Sequence, residues 1–263
     1  MRVVTWNVNS ITARLDFVLD FLATRQPDLV CIQELKVDDE HFPAQALEQA
    51  GYRAATHGQP QWNGVAVLVR RDAGGAPEIV SRGLVGQESA GARVLTVRAL
   101  GLSVTSVYVP NAKSIGHPDF AAKLAFLDAL VDHVARTLDP SGPTLIGGDF
   151  NLVPGDLDSW NPQAFAGQIF HTEAERQRHG RLLALGYHDL FREKNPELAS
   201  FSWWDYRAGA FHKRQGLRID LLLGSKSIVD RVESVSIDRD FRKKRSDRIP
   251  SDHAPVIAEL RPL

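Results

Sequence analysis

The amino-acid sequence predicts an α/β or α+β sandwich, two packed β-sheets with helices on the outside. Three observations carry this. Apolar strand-like segments outnumber amphipathic helical ones, and the helical segments are too few for a β/α barrel. Two of the strand segments, 93–100 and 102–109, are separated only by Gly101, so they form a tight antiparallel hairpin. Such hairpins among many strands favour sheet packed on sheet.

The elements follow in order. RVVTWNV at 2–8 reads as a strand. A helix over 13–24 places Leu15, Val18, Leu19 and Leu22 on one apolar face. After Pro27, the continuous apolar run DLVCIQ reads as a buried strand ending at Glu34. GVAVLVR at 64–70, RVLTVRAL at 93–100 and LSVTSVYV at 102–109 are further strands. A second amphipathic helix spans 119–138, with Phe120, Leu124, Leu127, Val131 and Val134 on one face. TLIGGDF at 144–150 is a buried strand, and a third helix covers 173–185. The short strands FSWWDY, RIDLLLGS, RVESVSID and PVIAEL complete the chain.

No linker, fixed-period repeat or low-complexity stretch interrupts this pattern, so residues 1–263 read as a single domain. No apolar run of 18 residues exists, which argues against a spanning helix and a membrane partner. The start MRVVTWNVNS lacks the apolar core of a secretory signal, and the single cysteine, Cys31, permits no internal disulfide. Both point to the cytoplasm. The net charge of −1 argues against a protein that coats nucleic acid by bulk electrostatics. The charge is uneven, however. Residues 206–218 hold four cations and no acid, and residues 239–248 hold six cations and two acids, so each run is net +4. Together they suggest a basic rim for a polyanion.

The candidate chemistry sits at strand ends. The histidines form no HExxH and there is no CxxC, which argues against zinc, and Cys31 inside a strand reads as a small hydrophobe. Acids and amides instead follow the strands: Asn7 and Asn9, Glu34, Asp149 and Asn151, Asp220, and Asp252 with His253. Carboxylates that terminate apolar strands converge on one sheet edge, where loops build sites. Glu34 near Asp252 gives oxygen donors suited to Mg²⁺ or Mn²⁺. In PSDHAPV, Pro250 and Pro255 favour a loop, the only setting in which adjacent Asp252 and His253 share a site. A distant carboxylate such as Asp220 can then orient the imidazole. Trp203 and Trp204 alternate, so one faces the core and the other is free to face the site.

In order along the chain stand WNVNS, IQE, QWNGVAVLVR, VYVPN, GGDFN, FSWWDYR, GLRIDLLL and PSDHAPV. Together they closely resemble the exonuclease III branch of the endonuclease/exonuclease/phosphatase superfamily, the abasic-site endonucleases. The resemblance covers essentially the whole chain. It implies a four-layer α/β sandwich, two packed mixed β-sheets flanked by helices. It also implies a monomeric Mg²⁺-dependent phosphodiesterase acting on double-stranded DNA at abasic sites or 3′ ends. By the same resemblance Glu34 binds the metal, with Asn7 and Asp252 nearby. Asp149 and Asn151 position or deprotonate the attacking water, His253 held by Asp220 contacts the scissile phosphate, and Tyr108 donates there. Trp203, Leu217 and Ile219 line a pocket for a baseless sugar. Arg207, Lys213 and Arg218 are candidate contacts to the DNA backbone, with a local salt bridge as the competing reading for Arg218. The chain departs from its relatives at Arg214, where Asn is frequent and better tolerates positive φ.

Two other readings compete: a superfamily phosphoesterase acting on a lipid or small phosphate ester, and a catalytically silent DNA-binding module. The tandem aromatics and basic loop argue against the first, the complete set of polar strand-end residues against the second.

Overall fold

The computed structural model describes residues 1–245 and 248–262. Residues 246–247 of the second basic run and residue 263 of the expected domain span lie outside the described residues. In chain order the strands are β1 Arg2–Asn7, β2 Leu29–Gln33, β3 Tyr52–His57, β4 Val65–Arg70, β5 Glu78–Arg82 and β6 Val94–Ala99. Then come β7 Leu102–Tyr108, β8 Thr144–Asp149, β9 Tyr187–Asp189, β10 Asp220–Ser225, β11 Val232–Ile237 and β12 Val256–Leu260. The helices are α1 Leu15–Arg25, α2 Ala44–Gln49, α3 Pro118–Thr137, α4 Pro162–Phe165, α5 Glu173–Ala184, α6 Leu190–Lys194 and α7 Lys226–Val229.

The strands form two six-stranded sheets, ordered β11-β12-β1-β2-β4-β3 and β5-β6-β7-β8-β10-β9. Each sheet is mixed, with one parallel pair at its centre, β1 with β2 and β7 with β8. Strand alternation then decides the layers. Val3, Leu29, Cys31, Val67, Val104, Leu145 and Leu222 point between the sheets and form the central core. Their neighbours Val4, Val30, Ile32 and Leu68 point outward and bury the face of α1. On the other side Val107, Ile146, Leu221 and Leu223 meet α3 and α5 through Phe126, Leu130 and Leu182. The result is the expected order of helix, sheet, sheet, helix. No helix among the described residues is long and apolar enough to cross a membrane.

The sheets approach closely where β8 carries Gly147, and within its own sheet β7 crowds the next residue, Gly148. A Cβ on Gly147 would lie 3.3 Å from the Cys31 sulfur of the facing sheet, and one on Gly148 only 2.0 Å from the Val107 carbonyl. The hairpin between β6 and β7 turns through Leu100 and Gly101, both at positive φ, as a two-residue turn matched to strand twist requires.

Several sequence expectations shift. The buried face of α1 is Phe17, Val18, Phe21 and Leu22, while Leu15 and Leu19 are half-buried. The aromatics pull the face round, Phe21 packing on Trp6 at 5.3 Å. In α3, Phe120 and Leu124 are half-buried, and Lys123, Phe126 and Leu130 are buried instead. FSWWDY is no strand. Trp203 alone bridges Leu217 and His253, exchanging both backbone hydrogen bonds with Leu217 at 2.9 Å. Three strands had no sequence signal: β3, β5 and β9 lie at sheet edges, where water-facing polar residues or a three-residue length hide the pattern.

The expected basic rim is corrected at the arginines of 239–245, while Lys243 and Lys244 are exposed. Arg242 is buried, donates to the Asp252 and Trp204 carbonyls at 3.1 Å, and lies over the Tyr206 and Phe211 rings. Arg239 stacks on Trp204 and Phe211, and Arg245 covers Phe17 and Phe241 while pairing with Asp20. Interleaved Phe241 anchors this run in the core, so its arginines lie against aromatic faces.

Candidate active site

Parallel β1 and β2 end together, as do parallel β7 and β8. Their C-terminal residues Asn7, Tyr108 and Asp149, with Glu34 immediately after β2, therefore reach one edge of the sandwich. Antiparallel β10 begins at that edge, with Asp220 in register opposite Asp149. The loop before β12 delivers Asp252 and His253 to it, fixed by Ser251 Oγ donating to the Asn7 carbonyl at 2.7 Å. The Trp6 indole donates to the His253 carbonyl at 3.1 Å. The backbone here is strained: Glu34 and Asn151 hold φ of 56° and 48°, in the left-handed region.

Asn7 Nδ2 donates to Glu34 Oε1 at 2.8 Å and to Asp149 Oδ2 at 2.9 Å, joining the carboxylates of the two sheets. The Asn151 amide donates to Asp149 Oδ1 at 2.9 Å, and Asn151 Nδ2 to the Val109 carbonyl at 2.8 Å. His253 Nδ1 donates to Asp220 Oδ2 at 2.9 Å, leaving Nε2 facing Asp149 Oδ2 at 3.8 Å. Ser202 Oγ donates to Asp220 at 2.6 Å and so fixes the carboxylate behind the imidazole.

Burial pushes the Asp149 carboxyl up to about 7, against the opposing effect of His253 and the hydrogen bond from Asn7. Burial alone would lower His253, but Asp220 and then Asp149 overcome it and raise the imidazole to about 10. Burial, then the Glu34 and Asp149 charges, holds the Tyr108 phenol well above its ordinary value. The centre thus offers a cationic imidazole, a neutral phenol and a carboxylate that exchanges protons near neutrality.

Beside this centre lies a pocket of about 330 Å³ lined by Phe170, Trp203 and Leu217 among others. Trp203 Nε1 donates to Asp252 Oδ2 at 2.9 Å, tying pocket to centre. Trp204 is buried, so the tandem tryptophans divide between site and core. Ile219 packs in the same apolar cluster as Leu217 and Trp203 but is not among the lining residues. Asp252 stands beside the Glu34, Asp149 and His253 cluster, its carboxylate engaged by Trp203 and by Asn9 Nδ2 at 2.9 Å.

Arg207 is exposed at the pocket rim and paired with Asp205 at 2.7 Å, and Lys213 is exposed nearby. Arg214 does hold a φ of 58°. Arg218 is corrected: it is buried and pairs with Asp158 and Asp189, each at 2.7 Å, so it contacts no ligand. Sequence reasoning missed Lys36, whose ammonium lies 2.8 Å from Glu34 and donates to Asn9 at 2.6 Å. Its place two residues after Glu34 was the available signal. It also missed Ser202, which stands inside FSWWDYR beside the tryptophans, and Arg93, which sits in no motif and whose guanidinium lies 4.6 Å from the Tyr108 ring centroid.

Glu34, Asp149 and His253 each offer a ligand atom within 4.8 Å of the others. Because the His253 imidazole is held cationic, the donors left are the Glu34 and Asp149 carboxylates and the Asn7 amide oxygen, a set that fits a hard divalent cation.

The endonuclease/exonuclease/phosphatase family model matches residues 4–253. Exodeoxyribonuclease III of Haemophilus influenzae is 35% identical over 99% of this chain and all of its own length. A 3′ phosphatase from Neisseria, solved with a product DNA hairpin, superposes with a TM-score of 0.93 at 36% identity, covering 99% of both chains. An AP endonuclease from Archaeoglobus fulgidus also gives 0.93, at 30% identity and 99% of both chains. With the strand-end carboxylates and the His–Asp pair in place, the chain belongs to the endonuclease/exonuclease/phosphatase family, in its exonuclease III branch.

Proposed function

We propose that this chain is a DNA-repair phosphodiesterase that cuts duplex DNA 5′ to abasic sites and removes nucleotides or blocking groups from 3′ ends. The observation that carries it is the joining of two parts by one hydrogen bond. A centre of Glu34, Asp149 and His253 adjoins an apolar pocket through Trp203 and Asp252. Exodeoxyribonuclease III and AP endonuclease relatives along the full length support the same reading.

Hydrolysis of a phosphodiester needs an activated water, neutralised phosphate oxygens and a stabilised leaving oxygen. Asp149, held by Asn7 and Asn151, takes the proton of the attacking water, a task suited to a carboxyl raised to about 7. His253 stays cationic and donates from Nε2 to a phosphate oxygen, while Asp220 fixes its orientation. Tyr108 remains protonated and donates to the same group. Glu34 and Asn7, with Asp252 nearby, would hold Mg²⁺ or Mn²⁺, and the ion would supply positive charge to offset that of the phosphate. An unstacked, baseless sugar enters the Trp203 pocket at least cost, which gives selectivity. Arg207 and Lys213 hold the backbone without reading sequence.

One experiment offers three substrates with Mg²⁺ or EDTA: a duplex with a single abasic site, a recessed 3′ end, and an inositol phosphate. Metal-dependent cleavage of the two DNA substrates is expected. Hydrolysis of the inositol phosphate with both DNAs intact would overturn the reading.

A further inference from the structure

Lys123 and Glu175 are both fully buried and paired, and neither has a part in the catalytic steps above. Burying two charges is costly unless every lone pair and proton is used, so what this pair holds is informative. Lys123 Nζ donates to the Asn151 carbonyl at 2.5 Å and lies 4.9 Å from the Phe170 ring centroid. Glu175 accepts from the Phe170 amide at 3.2 Å, the Thr172 amide at 3.1 Å and the Thr172 hydroxyl at 2.7 Å. Asn151 and Phe170 share an unusual property: both are non-glycine residues in the left-handed region, with φ of 48° and 71°. Such conformations persist only where surrounding bonds determine them. Asn151 carries the amide that binds Asp149, and Phe170 lines the pocket against Trp203 at 6.5 Å.

We propose that the Lys123–Glu175 ion pair is a positioning clamp that holds Asn151 and Phe170, and so sets the Asp149 carboxylate against the substrate pocket. The clamp rests on the nuclease reading above but touches no substrate itself. It ties α3 and α5, outside one sheet, to the two loops that meet at the site. Its effect falls on kcat, because a misplaced carboxylate slows chemistry more than it weakens the hold on DNA.

The test replaces both charges together, Lys123→Met with Glu175→Leu, because an apolar pair of similar volume keeps the fold where a single change strands a buried charge. Cleavage of a 3′-ended or abasic duplex is followed with hydrogen exchange of the backbone. Expected is a loss of kcat of about 100-fold with KM changed far less. Exchange should quicken over 150–153 and 169–172 but not in β7 or β10. Lys123→Arg, which keeps charge and donors, should recover most of kcat. A folded double variant with kcat within about twofold of the parent and unchanged exchange overturns the clamp. If the double variant fails to fold, Thr172→Val carries the test. It deletes one donor to Glu175 and should lower kcat with KM held, whereas both unchanged would overturn the proposal. A parent enzyme that cuts no DNA counts against the nuclease reading, and the exchange pattern then judges the clamp separately.

Discussion

At Trp203, two roles meet in one side chain: its ring walls the pocket and its indole donates to Asp252. Trp203→Ala should lower kcat/KM for abasic-site cleavage by about 10–100-fold, the usual range for a lost anchor worth about 1.4–2.8 kcal/mol. Thermal denaturation should move by only a few degrees, since the residue is half-buried. Parallel losses of activity and stability would place it in the core with Trp204. The split between the tandem tryptophans was legible from strand alternation, although the segment proved to be a single bridge between loops. His253 with Asp220 was legible too, because Pro250 and Pro255 mark the loop that lets it turn inward. Arg218 was not. A cation between two apolar residues reads the same whether it faces a ligand or two distant acids, and Asp158 and Asp189 lie far from it in sequence.

Among the elements, β8 illustrates how packing and chemistry constrain one strand. Gly147 lets the sheets close, Gly148 makes room for the backbone of β7 beside it, and the next residue is Asp149. Gly148→Ala places a methyl against the Val107 carbonyl and should cost about 1–3 kcal/mol through overpacking. Urea denaturation measures that loss directly. An unchanged midpoint would mean that the β7–β8 ladder yields more easily than the geometry suggests. The central strands and the three longest helices were legible because their apolar residues repeat at strand or helix period. Edge strands β3, β5 and β9 were not, since edges mix polar and apolar residues. The run 239–245 misled for a related reason. Charge alone does not distinguish a solvated rim from arginines stacked on Trp204, Phe211 and Phe241.

For the molecule as a whole, acid stability depends in part on buried ion pairs such as Asp189 with Arg218. Asp189 is buried, which by itself would raise its carboxyl, yet Arg218 holds it below the ordinary range. A carboxyl lowered in the folded state contributes stability above its unfolded value of about 4, and that contribution is lost as pH falls below it. Denaturation should therefore show the parent weakening as pH drops below about 4. Arg218→Met should cost about 3–5 kcal/mol at neutral pH by leaving the buried Asp189 carboxylate without a cation and Asp158 with Arg192 alone. Its stability deficit should shrink on acidification, as protonation relieves them. A deficit independent of pH would refute the pairing. The near-zero net charge now has an anatomy. One basic loop at 206–218 stays largely exposed beside the pocket, Arg239, Arg242 and Arg245 of the other run lie against aromatic rings, and Glu34 and Asp149 meet at the edge where the two sheets end.

The central claim is that this edge cuts the DNA it binds, with Asp149 as the group that activates water. Asp149→Asn tests it most directly, because the amide preserves shape and removes the base. Single-turnover cleavage and binding are measured together on a duplex carrying one abasic site and a recessed 3′ end, with Mg²⁺ present. The account predicts binding within a few-fold of the parent and cleavage at both positions slower by about 10²–10⁴-fold. Cleavage at the parental rate in Asp149→Asn would contradict it.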